Sequence, residues 1–225
     1  MATDWFPLWL SLRVAGLSTL ISLLLALWLA WLFNARVFRG KHLLDAIITL
    51  PLVLPPTVLG YYLLVLLGRR SPLGQLYEWC FGQPLVFTWQ AAVVAALLHS
   101  APLLIKFSTA ALESVPRRYP KAARSLGASE WRVFWHVTLP LAWNQILAAT
   151  ALAFARALGD FGITIMVAGN IPGVTQTLPL AVYSRIQHPG GIAGSWRLVA
   201  LSILLACLAL AAGEWLEHRE RHRHA

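Results

Sequence analysis

Residues 121–140 read KAARSLGASEWRVFWHVTLP, a charged, helix-patterned segment set between long apolar runs. Lys121, Arg124, Glu130 and Arg132 carry the charge, Gly127 interrupts the middle, and Leu139-Pro140 closes the stretch. Helix formers fill 121–126, and a glycine at the end of such a run permits a sharp turn. From Glu130 to Val137 the helical pattern resumes, with Trp131, Phe134 and Trp135 recurring three and four apart. The predicted product is a bent helical pair lying against a membrane, with one apolar and one basic face. An interfacial helix resting on anionic lipid needs the same two faces, but it needs neither the glycine nor the closing Leu-Pro.

The rest of the chain explains why a membrane is invoked. Of 225 residues, 58% are hydrophobic and only 12% charged, whereas a soluble domain averages about 25% charged residues. So few charges cannot cover an ordinary water-facing surface, but they suffice for a lipid-embedded domain. The length suits one membrane domain (residues 1–225) and leaves no room for a soluble catalytic domain beside it. The net charge is +9. The cations gather in short loops between apolar runs, as in the cytoplasmic loops of membrane proteins, which argues against a nucleic-acid partner. Cys80 and Cys207 fall in a loop and in an apolar run, so no disulfide between them is expected. The first apolar run, Val14 to Phe33, is about 20 residues, longer than a signal-peptide core, and no small-residue cleavage site follows it. It reads as a retained anchor.

A bilayer core takes roughly 20 apolar residues per helix, and five segments qualify: 10–33, 43–67, 86–112, 138–168 and 196–216. The loop 34–42 carries Arg36, Arg39 and Lys41. The loop 113–137 carries Arg117, Arg118, Lys121, Arg124 and Arg132, and the tail carries Arg219, Arg221 and Arg223. These eleven cations fall on one side, against Arg69, Arg70 and Arg185 on the other. The bias predicts an outer N-terminus and a cytoplasmic C-terminus. All eleven tryptophans, from Trp5 to Trp215, fall near the predicted interfaces, where indole rings concentrate.

Three spans are not plain anchors. The second holds Pro51, Pro55 and Pro56, a density that kinks or unwinds a helix. The third holds His99 and Pro102; the fourth holds Asn144, Gln145, Arg156, Gly159, Asp160 and Gly162. The leucine- and alanine-rich first and last spans read as lipid-facing. Arg156 and Asp160 are four apart, hence on one helix face, and an isolated charge at mid-bilayer costs roughly 3 kcal/mol even on the lenient scale. They either neutralise each other and hold helices together, or line or gate a polar path. In the outer segment 169–194, the apolar Leu178–Tyr183 reads as a short re-entrant or interfacial helix, or as a simple connector.

No catalytic pattern is present. The one Gly-Lys pair, Gly40-Lys41, lacks the upstream glycine of a nucleotide-binding loop. His218, His222 and His224 are interleaved with Arg and Glu in a tail that reads as a solvated charged end rather than a metal site.

The opening stretch is similar to the cytoplasmic loop of permeases of ATP-binding-cassette (ABC) importers, whose motif is E-A-A, three residues, G, nine residues, I-x-L-P. Here it stands as Lys121-Ala122-Ala123, Gly127 and Val137-Thr138-Leu139-Pro140, with the spacing intact. Val137 for Ile is a mild departure, whereas Lys121 for Glu reverses a charge. Leu50–Tyr61 (LPLVLPPTVLGY), Gly68–Gly74 (GRRSPLG), Ala155–Gly162 (ARALGDFG) and Ala168–Gly173 (AGNIPG) resemble the molybdate branch, with Asp160 where Glu is usual. Sulfate and tungstate permeases are close relatives of that branch.

The resemblance implies an all-α membrane protein of the type I ABC-importer permease fold, with about five transmembrane helices and a cytoplasmic coupling helix. It implies a second copy of the chain, two ATPase subunits that hold ATP and Mg, and an extracytoplasmic molybdate-binding protein. This chain would bind no cofactor or metal and have no catalytic residue. The coupling residues would be Lys121, Ala122, Ala123, Leu126, Gly127, Ala128, Trp131, Phe134 and Pro140. The translocation path or gate would involve Pro55, Pro56, Thr57, Arg156, Asp160 and Gly162. Transport would proceed by alternating access across the cytoplasmic (inner) membrane. The rival readings are a secondary anion transporter, which internal repeats would favour, and a membrane scaffold, which needs neither the kinked span nor the charges.

Overall fold

The computed structural model describes residues 5–35, 40–188 and 191–221. Arg36, Arg39, His222, Arg223 and His224 lie outside the described residues, as do the side chains of Trp215, His218, Arg219 and Arg221. The described residues are helical, with no strand among them.

The longest packing seam joins α1 (Trp5–Ala35) and, further along the chain, the helix Trp89–Ser114. On α1, Ala15, Ser18, Ser22, Ala26 and Ala30 are all fully buried. Their three- and four-residue spacing puts them on one stripe. Small side chains let two membrane helices approach closely, and the facing helix answers with Ala91, Ala92, Ala95, Ala96 and Ser100, all fully buried. The Ser22 and Ser100 hydroxyls lie 3.3 Å apart across the seam. Only the opposite face of α1, with Leu20, Leu24 and Trp28, is open. The expectation of a lipid-facing first span is therefore corrected: one face is core, because a leucine-rich run conceals a small-residue stripe.

The predicted second span, 43–67, is not one kinked helix. It divides into α2 (Lys41–Val53) and α3 (Pro56–Leu67), bent by 114°. The cause is the proline pair. A residue before proline is pushed out of the helical region, and Pro55-Pro56 imposes this twice in succession. Leu54 sits at φ −72°, ψ 141° and Pro55 at φ −56°, ψ 137°. Pro56 then occupies the first turn of α3, where its missing N–H costs nothing. Pro51 stays inside α2, so it is the pair that breaks the span.

A helix unforeseen in the sequence, α4 (Pro72–Phe81), follows, capped by Ser71 Oγ accepting from Gly74 N at 2.9 Å. Next comes α5 (Trp89–Ser114), which starts later than the predicted 86 because Thr88 caps it, accepting from Ala91 N at 3.3 Å. Two short helices, α6 (Arg118–Ser125) and α7 (Glu130–Val133), lead through a π-helical turn (Phe134–Thr138) into α8 (Leu139–Leu158). The predicted fourth span, 138–168, likewise divides: after α8 the chain breaks at Gly159–Phe161 and resumes as α9 (Gly162–Val167). The segment after it contains α10 (Leu178–Ile186), whose first N–H donates to Ser11 Oγ of α1 at 2.7 Å. The last element is α11 (Gly191–Arg221).

Among the described residues, three helical runs are long and apolar enough to cross a membrane: Trp5–Phe33, Trp89–Glu113 and Glu130–Leu158. The bent α2–α3 pair makes a fourth if taken as one span, and Ser195–Ala211 of α11 is a shorter apolar helix. Cys80 and Cys207 are both free and exposed.

Candidate functional site

The charged stretch folds into a defined corner. Gly127 has φ +83°, the left-handed conformation that terminates many helices. Its N–H donates to the Arg124 carbonyl at 2.9 Å, and Ala128 N–H donates to the Ala123 carbonyl at 3.1 Å. This pair of bonds is a Schellman ending, which satisfies two of the carbonyls left over at the end of α6. A Cβ added at Gly127 would meet no atom within 4 Å; backbone conformation alone requires the glycine. Two residues later Ser129 Oγ caps α7, accepting from Arg132 N at 3.4 Å.

An ion pair closes the corner. Arg124 donates from Nε to Glu130 Oε1 at 2.6 Å and from Nη2 to Oε2 at 3.0 Å, the bidentate fork that guanidinium offers a carboxylate. The hydrogen bond from Arg124 holds the Glu130 carboxyl below its ordinary range, and the same bond raises Arg124.

The structure separates the predicted coupling residues into two groups. Lys121, Ala122, Leu126 and Gly127 are exposed, Leu126 at 89%, and Ala123 and Ala128 are half-buried. Trp131 is exposed but also meets Trp31 of α1 edge-on, ring centroids 5.5 Å apart. Phe134 is corrected: it is buried among Ala111, Leu112, Val115, Leu139 and Ile146 and forms no part of an outer surface. Pro140 is exposed and stands two residues after the π-turn, which ends at Thr138. Proline cannot donate to the carbonyl four residues back, and the wider turn before it accommodates that missing bond.

The second group of predicted residues meets where the two broken spans face each other. A Cβ at Gly162 would lie 2.7 Å from Pro56 Cβ, and one at Gly60 would lie 2.7 Å from Met166 Cβ. These two glycines therefore let α3 and α9 pack almost backbone to backbone. Pro55, Pro56 and Thr57 stand exposed at the start of α3. Asp160 does not pair with Arg156. Its buried carboxylate (4% exposed) accepts from Thr164 N at 3.2 Å and from Thr164 Oγ1 at 2.5 Å, in the first turn of α9. A negative group at a helix N-terminus is favoured by the exposed N–H groups there. Arg156 instead donates from Nε to the His99 carbonyl at 3.0 Å, one turn before Pro102 of α5. The self-neutralising pair is thus replaced by two separate attachments, because the chain turns out of the helix at Gly159.

One pairing escaped the sequence. Lys106 of α5 bonds Asp45 of α2 through both carboxylate oxygens at 2.6 Å. Each residue is a lone charge inside an apolar run, which is a signal, but 61 positions separate them and no spacing rule could join them.

The geometry is that of a membrane bundle with broken helices at one level and a stiff charged corner at the other. Over 96% of its length the chain shares the fold of a chain in a bacterial ABC transporter involved in import of the acidic polysaccharide alginate. The TM-score is 0.71 at 16% identity, and 78% of that chain is covered. The chain belongs to the family of binding-protein-dependent transport system inner membrane components, which it matches over residues 22–222. It is 48% identical to the molybdenum transport system permease protein ModB of Escherichia coli (strain K12), covering 98% of this chain and 96% of the relative. It is 46% identical to the protein of the same name from Haemophilus influenzae, covering 93% and 92%.

Proposed function

We propose that this chain is the membrane-spanning subunit of an ATP-driven importer of molybdate. The observation that carries the reading is the end-to-end match to two molybdenum permeases at 46–48% identity. The ATPase subunits, with their ATP and Mg, are separate chains, and an extracytoplasmic protein delivers the anion. The permease acts as a pair of copies, each with five spans, an outer N-terminus and the α6–α7 corner on the cytoplasmic side of the inner membrane.

The geometry supports a mechanical route for alternating access. An ATPase that grips the exposed Ala122 and Leu126 side of the corner moves a unit stiffened by the Schellman bonds and the Arg124–Glu130 fork. From Glu130 to Leu158 the chain is one helical run of 29 residues, about 43 Å at 1.5 Å per residue. Its far end carries Arg156 and leads to α9, which lies against Pro56 of α3. A displacement at the corner therefore reaches the broken-helix level, where Pro55, Pro56, Thr57, Arg156 and Gly162 form the candidate gate. This chain supplies no catalytic group; it converts movement of its partners into opening of a path.

The test is uptake of labelled molybdate into liposomes holding this chain, its ATPase and the binding protein, with ATP inside, in competition with tungstate and sulfate. Transport that requires all three components and is displaced by tungstate more readily than by sulfate is expected. Transport by the chain alone would overturn the importer reading, and stronger displacement by sulfate would reassign the substrate.

A further inference from the structure

A cleft of about 730 Å³ lies between α6 and the ends of α1, α2 and α5. Lys41, Arg117, Lys121 and Arg124 line it, against one carboxylate, Glu113, and an apolar wall that includes Phe33. Two of the four cations are occupied. Lys41 donates to the Phe33 carbonyl at 3.2 Å and stands 4.0 Å from Glu113, and Arg124 is held by Glu130. Arg117 and Lys121 form no ion pair among the described residues. With Glu113 set against Lys41 and Arg124 held by Glu130, the cleft keeps an excess of positive charge, and a concave site with such an excess focuses its field on an anion. A forked guanidinium beside an ammonium suits the several acceptor oxygens of a phosphate-type group.

We propose that this cleft is a binding site for a phosphate-type oxyanion, held between Arg117 and Lys121 with Lys41 and Arg124 beside them. The site is separate from the broken-helix level and does not depend on which anion the protein carries. Two sources share the chemistry: the headgroup of an anionic phospholipid, since basic pockets between helices at the inner membrane surface take such headgroups, and a free oxyanion from the cytoplasm. Either would neutralise the face of α6 that carries Lys121 and brace the corner against α2 and α5. Lys121 thereby gains a role that a glutamate at that position could not fill.

The test places the full chain in phosphatidylcholine nanodiscs with and without phosphatidylglycerol and counts retained phosphatidylglycerol by native mass spectrometry. A second arm titrates inorganic phosphate in phosphatidylcholine alone. Arg117→Gln with Lys121→Gln is compared with Arg118→Gln with Arg132→Gln, which removes the same charge from outside the cleft. The cleft pair is expected to weaken binding about thirtyfold, and Lys121→Gln alone about fivefold if the double variant does not fold. Loss of phosphatidylglycerol in the cleft variants only assigns the lipid source, and loss of phosphate binding in them only assigns the free oxyanion. If neither probe is held, or both variant pairs lose it equally, the proposal is overturned.

Discussion

Lys106 Nζ lies 2.6 Å from each carboxylate oxygen of Asp45, tying the first limb of the broken helix to α5. The bend at Leu54-Pro55 frees α2 from α3, and this ion pair is one polar link of α2 to the bundle seam, beside those of Lys41 to the Phe33 carbonyl and Glu113 at its start. Both side chains are about two-fifths exposed, so the pair is not a deeply desolvated one, and solvent screening moderates its strength.

Asp45→Asn is therefore expected to lower the stability of the purified chain by roughly 1–2 kcal/mol, above a surface pair and below a buried one. The exchange Asp45→Lys with Lys106→Asp is expected to restore most of it. Thermal melting in detergent checks both. Equal melting of Asp45→Asn and the native chain would show that the pair does not hold α2.

Gly127 tests the corner by conformation rather than by space. Because a Cβ there meets nothing, Gly127→Ala is expected to cost about 1–2 kcal/mol of local stability from the left-handed backbone alone, and Gly127→Asn less. Gly127→Val, β-branched, is expected to abolish the turn. Capture of the proposed ATPase partner by the full chain is the readout, with retention falling in the order Gly, Asn, Ala, Val.

The Arg124–Glu130 fork has a pH signature. Glu130 has a depressed folded-state pKa, so its contribution is present above the unfolded value and is lost as pH falls through the folded one. The corner is thus expected to loosen only below the ordinary glutamate value of 4.5. Hydrogen-exchange protection across residues 124–133, taken relative to the intrinsic rate at each pH, is expected to fall there, and Glu130→Gln to show the lower protection already at neutral pH. Exchange in Glu130→Gln equal to that of the native chain at neutral pH would show that the Schellman bonds suffice.

Much of this was legible in the residues, and the reasons are specific. Gly127 is readable because a glycine between two helical patterns has few other uses. The break at Pro55-Pro56 is readable as a break, but its 114° angle is not, since local pattern does not say where α3 packs, which is on α9. Phe134 was misplaced because a three-and-four spacing with Trp131 shows a shared face without showing what covers it. Here α5 and α8 cover it. Arg156 and Asp160 share a face only if the helix continues between them, and Gly159 ends it first. The Asp45–Lys106 pair joins two distant helices, a relation that local pattern does not encode.

Gly162 and Gly60 carry the contact between α3 and α9. Gly162→Ala would set a Cβ 2.7 Å from Pro56 Cβ. Because this neighbour is a ring carbon fixed to the backbone, relief requires the helices to part, at a cost of about 1–3 kcal/mol. Gly159→Ala, whose Cβ would approach only carbonyl oxygens at 3.7 and 3.8 Å, is the matched control and is expected to be near neutral. Melting temperatures of the two variants decide the matter. Uptake is expected to fall with Gly162→Ala if the α3–α9 contact moves in transport.

Arg156 is the sharpest test of the proposed path. Its Nε is committed to the His99 carbonyl, while the remaining guanidinium N–H groups make no ion pair among the described residues and are free to meet an anion. Arg156→Ala is expected to lose about 1.5 kcal/mol of stability with the hydrogen bond, yet to reach the membrane with its ATPase at native abundance. Molybdate uptake by that variant is expected to drop far more than its abundance. Arg156→Lys, which keeps the charge but not the fork, is expected to recover part of the uptake without recovering the bond to His99. Full uptake by Arg156→Ala at equal abundance would assign the residue to helix attachment and remove it from the path.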